Sequence, residues 1–112
     1  MDDWVAARVV FSEAPYGPYD YQIPNDLEAS VKPGVRVEVP LGRGNRKLKG
    51  YCIEVLTAGH SDAASVNPQK LKPVGRALDE QPIISERLLG LAKWISEYYL
   101  CPLGQVIETI VK

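Results

Sequence analysis

The sequence has little of what most enzymes and membrane proteins need. Its 112 residues hold one histidine, one methionine and one phenylalanine. The longest apolar runs, such as Ile83-Ile84 and Leu88-Leu89, are broken by charge or glycine within a few residues, far short of the ~20 apolar residues of a membrane span. A membrane partner is therefore not expected. The opening residues, Met1-Asp2-Asp3-Trp4, lack the positive and apolar regions of a secretory leader, so a cytoplasmic location is the expectation. Cys52 and Cys101 lie far apart with no CxxC pair, which argues against a disulfide framework or zinc ribbon. Both read as small buried hydrophobes. His60 sits in a polar TAGHSD loop with no second histidine to complete a metal site or a nucleophilic pair. The carboxylate pairs Asp2-Asp3 and Asp79-Glu80 fall at a terminus and in a turn before Pro82, neither rigid enough for acid–base work. Phosphate-loop, dinucleotide, HExxH and GxSxG patterns are missing. No catalytic residue, metal or cofactor is expected within the chain.

What is present is an ordinary domain-forming composition with an uneven charge. With 46% hydrophobic and 24% charged residues, the chain is close to the soluble globular average and long enough for one core, so 1–112 reads as a single domain. The net charge of -1 hides a segregation. Lys32 to Arg76 carries nine basic and three acidic residues, while the flanks carry four basic and eleven acidic ones. Inside the basic block, PLGRGNRKLKG (40–50) has four bases, three glycines and no acid. Such a loop suits a phosphate backbone, and it equally suits a solvated hairpin tip that protects a sheet edge.

The pattern along the chain is strand-rich, then helical. VAARVVF (5–11) and YDYQI (19–23) read as strands separated by a proline- and glycine-containing loop. Val35, Val37 and Val39 alternate with charge before Pro40, and LKGYCIEVL (48–56) reads as their hairpin partner, with Gly50 marking a bulge or a close backbone approach. KLKPVGRAL (70–78) supplies a fifth, irregular edge strand. Ser85 is a suitable N-cap, and Leu88, Leu91 or Ala92, Ile95 and Tyr98 or Tyr99 recur at helical spacing until Cys101-Pro102, predicting a helix over about 85–100. Leu103 to Val111 is compatible with either helix or strand. Five short strands and a helix make a mainly β fold, a small, OB-like, partly open five-stranded barrel with a C-terminal helix.

The constellation with chemical content is Tyr16-Gly17-Pro18-Tyr19-Asp20-Tyr21. Aromatic faces stack nucleobases without sequence preference. Tyr19 and Tyr21 fall on one strand face and Asp20 on the other, so Asp20 and a tyrosine need local geometry to meet at one ligand. Core tyrosines with a turn-capping acid are the alternative.

Four stretches, PYDYQIP (18–24), VKPGVRVEVPLG (31–42), LKPVGRALDEQPI (71–83) and WISEYYLCPLGQV (94–106), resemble in order the N-terminal domain of the replication-restart helicase family PriA (primosomal protein N-prime). That resemblance implies an excised N-terminal fragment of a bacterial protein whose DNA-binding barrel takes the 3′-OH end of nascent leading-strand DNA at a stalled fork. It further implies a longer parent, an ATP-dependent 3′-to-5′ helicase using ATP, magnesium and zinc and meeting other primosome proteins. By position it carries the 3′-end pocket onto Tyr19, Asp20, Gly42 and Lys72. Tyr19 stands where the family commonly has phenylalanine, and Leu41 where it usually has an aromatic, which bears on how much stacking that side of the pocket offers. Arg43, Arg46 and Lys47 are expected as supplementary backbone contacts. The competing class is a protein-interaction barrel docking a peptide or an acidic partner.

Overall fold

The computed structural model describes residues 4–57 and 70–111; the carboxylates Asp2-Asp3 and the histidine loop around His60 lie outside them. Strands β1 (Val5–Val10), β2 (Tyr19–Gln22), β3 (Arg36–Leu41), β4 (Arg46–Thr57) and β5 (Arg76–Ala77) are followed by helices α1 (Glu86–Tyr99) and α2 (Leu103–Val111). The strands form one antiparallel sheet in the order β2-β1-β4-β3-β5. The expected hairpin is β3–β4, and the strands run closer to its tip than the glycine content suggested, leaving only Gly42–Asn45 as turn.

The fifth strand is shorter than predicted, and the residues before it tie across the open side of the partly open barrel. Val74 N–H donates to the Gln22 carbonyl at 2.8 Å, and Gln22 N–H donates to the Lys72 carbonyl at 2.9 Å. On its other side the same segment pairs with β3, where Gly75 N–H donates to the Glu38 carbonyl at 2.8 Å. The two outer strands of the sheet are thereby joined through one irregular stretch of chain.

Alternation along the strands produces two cores. Ala7, Val9, Phe11, Tyr21, Val35, Val37, Val39, Cys52 and Val74 fill the barrel. Val10, Tyr51, Ile53, Ile84, Leu89, Ala92 and Ile107 lie between its outer wall and the helices. β1 can serve both because it is central and covered on each face. The register shifts between Arg8 and Val9 opposite β4, a bulge that strengthens local twist. Gly50 marks a close approach: a Cβ there would sit 2.4 Å from Val9 Cγ1.

Ser85 caps α1, its hydroxyl accepting from Leu88 N–H at 3.2 Å, and Leu100 ends it in the left-handed conformation. The stretch that sequence left open, 103–111, is helical. One reading of the cysteines needs correction. Cys52 is buried, but Cys101 is exposed, because it follows the helix end rather than lying on its inner face. Burial pushes the Cys52 thiol up to about 12, which leaves it unreactive.

Candidate nucleic-acid interface

The paired residues Arg8↔Asp20 and Val9↔Tyr19 determine where the first half of the candidate site points. Val9 faces the barrel interior, so Tyr19 turns the same way at the barrel mouth. There its ring lies 6.0 Å from that of Phe11, and it remains 37% exposed. Tyr21, two positions on, is 3% exposed and belongs to the core; burial, with Tyr19 nearby, pushes its phenol up to about 12. The expected split of faces is present: Asp20 leaves on the outer side, where Arg8 Nε donates to its Oδ1 at 3.0 Å and Nη2 to its Oδ2 at 3.4 Å.

Arg8 is flanked across the sheet on both sides. Its second neighbour in register is Glu54 on β4, with Nη1 3.7 Å from Oε2. Asp20, Arg8 and Glu54 thus form an acid–base–acid row with a net charge of -1. Sequence reasoning passed over Arg8 inside an apolar run. The signal was there in retrospect, a lone cation in VAARVV that falls opposite an acid when the two strands are aligned antiparallel.

The second half of the site is built by the hairpin turn and the closing segment. Gly42 has φ +77°, a left-handed conformation that glycine adopts without steric cost, and a Cβ there would meet nothing within 4 Å. Its carbonyl accepts from Asn45 N–H at 3.1 Å and from Lys72 Nζ at 2.7 Å. Lys72 therefore reaches across thirty positions to clamp the turn, and among the described residues its ammonium has no other partner than Gly42.

The two halves meet through backbone. Lys72 bonds to Gln22, two positions from Asp20 on the same strand. Since Gln22 directs its N–H and C=O away from β1, alternation directs those of Asp20 the same way. Among the described residues they have no backbone partner. The edge of β2 at Asp20 thus offers an amide, a carbonyl and a carboxylate next to the Lys72 strand, with Tyr19 on the opposite side of that edge. Gly42 and Lys72 are in direct contact, whereas Asp20 makes its side-chain bonds with Arg8.

The supplementary cations do not act as a group. Lys47 lines a cleft of about 920 Å³ together with Lys72, Arg76, Asn45, Pro40 and Pro73. Arg46, its neighbour on β4, lines a different hollow with Phe11, Tyr51 and Glu108, as strand alternation requires. Arg43 is exposed in the turn. Leu41 packs against the barrel core. Asp79, expected in a loose turn, is instead held firmly: Arg36 Nη2 donates to its Oδ1 at 2.8 Å and Arg36 backbone N–H to its Oδ2 at 2.9 Å. Its role is structural, since it ties the segment after β5 back to β3.

Comparison with known proteins gives the family. Residues 8–112 match the family described as the PriA 3′ DNA-binding domain. The chain is 35% identical over 80 residues to the replication restart protein PriA of Bacillus subtilis, covering 71% of this chain and 9% of that protein. It is 38% identical over 91 residues to that of Chlamydia muridarum, covering 80% and 11%. With PriA of Rickettsia conorii it shares 30% over 105 residues, covering 94% and 14%. The chain spans about a tenth of the length of these relatives. On the family match over nearly its whole length, this chain belongs to the PriA 3′ DNA-binding domain family.

Proposed function

We propose that this domain grips the terminal nucleotide of a DNA strand by its free 3′-OH, without reading sequence, and so places a longer PriA-type 3′-to-5′ helicase at a stalled fork for restart. The single observation that supports this most is the joining of Lys72 to both Gly42 and the β2 edge beside Asp20. A carboxylate has about four acceptor sites and no donor. Arg8 occupies those facing β1, and the others are free to accept from a hydroxyl. A terminal 3′-phosphate would bring ~1.5 to 2 negative charges against a row that is already net negative. The unobstructed space over Gly42 admits the sugar, Tyr19 packs against sugar or base, and Lys72 meets the last phosphate as a flexible point charge. ATP, magnesium and zinc would belong to the remainder of such a protein, as would contacts with other primosome proteins.

Fluorescence anisotropy with short single strands ending in 3′-OH or 3′-phosphate tests the reading. The hydroxyl end binds more tightly. Asp20→Ala weakens that binding by about 1 to 3 kcal/mol, the scale of a charged hydrogen bond, and leaves internal single strand nearly unaffected. Lys72→Ala weakens all sequences alike and makes the slope of log affinity on log salt shallower by ~0.7. Equal binding of the two ends would overturn the proposal in favour of a peptide-docking barrel, which has no reason to distinguish them.

A further inference from the structure

The cleft beside Lys72 is lined by residues other than Tyr19, Asp20 and Gly42, and its walls have a distinct chemistry. Its floor is apolar, from Pro40 and Pro73, and its rim carries Lys47, Lys72 and Arg76 with a single acid, Glu38. Lys47 faces Pro40 in the β3–β4 register, and Arg76 comes from β5 on the opposite side of β3. Two cations from different strands thus flank one trough. Arg76 rests 3.6 Å from Glu38 and keeps 66% of its side chain exposed. A pair so open to water is weak, and a phosphate can take the guanidinium from it. The trough begins at Lys72, whose ammonium holds the Gly42 carbonyl, so a strand whose last nucleotide lies at Gly42 and Asp20 continues along it.

We infer that this cleft is a second subsite, in which Lys47 and Arg76 clasp the phosphate on the 5′ side of the penultimate nucleotide while its sugar and base lie over Pro40 and Pro73. The subsite rests on the end-binding reading above and extends it: the domain reads one nucleotide by its terminus and a second by its backbone. Arg46, although adjacent to Lys47, takes no part, because it faces the other hollow.

The test is the affinity of the 112-residue chain for 3′-OH mono-, di- and trinucleotides carrying a 5′-phosphate, measured by competition against a labelled oligonucleotide. Adding the second nucleotide raises affinity about tenfold or more, the equivalent of one charged hydrogen bond, and the third adds little. Lys47→Ala combined with Arg76→Ala removes most of the second step and makes the salt slope shallower by ~0.7. Both side chains are exposed, so the core is left intact. Arg46→Ala keeps the step. Glu38→Gln, which removes the competing acid, enlarges it.

A second step that survives the double substitution, or that Arg46→Ala reduces equally, would overturn the subsite. So would a wild-type domain that prefers hydroxyl over phosphate ends yet gains nothing from the second nucleotide, and that result would leave the end-binding reading standing. Loss of end preference with the second step intact would do the reverse.

Discussion

The Arg36–Asp79 pair shows how much a single side chain can decide. The Arg36 guanidinium and backbone amide together hold the Asp79 carboxyl below its ordinary value of 3.8. A carboxyl that is more acidic folded than unfolded stabilises the fold most above its unfolded value. That contribution falls away as pH drops through the lower, folded one. Asp79→Asn is therefore expected to cost about 1 to 3 kcal/mol at neutral pH. The difference from wild type in urea midpoint should shrink below about pH 4, and a difference that stayed constant into acid would show that the charge is not what matters. Nothing in the local sequence announces this pair, because its partners lie on β3 and beyond β5. Arg8 and Arg76 escaped notice for the same reason: each takes its meaning from a residue on another strand. Tyr19, Asp20, Gly42 and Lys72, by contrast, were placed by resemblance, and the coordinates add what the resemblance could not, the bond between the last two.

At the scale of elements, two glycines in the helices make opposite predictions. Gly104 lies where α2 meets the end of β1, and a Cβ there would fall 2.0 Å from the Phe11 carbonyl oxygen. The obstacle is backbone, so Gly104→Ala should destabilise by about 1 to 3 kcal/mol or more. Gly90 is exposed within α1 with open space around its Cα, so Gly90→Ala should stabilise by about 0.5 to 1 kcal/mol through backbone entropy. Thermal melts of the two variants check both signs. α1 was legible almost to the residue because its cap and its period are local signals. α2 was not, since nine residues of mixed apolar character acquire their conformation from packing against α1 and β4. β5 shrank for a related reason: the proline and glycine before it permit only a few ladder bonds.

The whole molecule joins a basic side, the proposed DNA face, to a helical side of another character. α1 leaves Leu88, Leu91, Trp94, Tyr98, Tyr99 and Leu100 exposed, with the rings of Trp94 and Tyr98 stacked at 5.1 Å. None of these lines the Lys47–Lys72 cleft. The barrel is partly open, as the sequence suggested, and its open side is spanned by a tie of Gln22 to Lys72 and Val74, in an irregular segment whose proline gives no period to read. That tie makes a clear expectation for amide exchange: the protons of Gln22 and Val74 should exchange as slowly as those in the middle of β1 and β4. Exchange at the rate of a frayed edge would mean that this tie does not form in solution.

Lys72 grips one stretch of chain by its main chain and another by its side chain, so it behaves as a rivet between otherwise separate walls. Tension on a captured strand is then shared at once by β2 and the β3–β4 turn instead of peeling one free end away. Under the proposed end-grip, the anchorage lies where a pull on the bound strand would arrive.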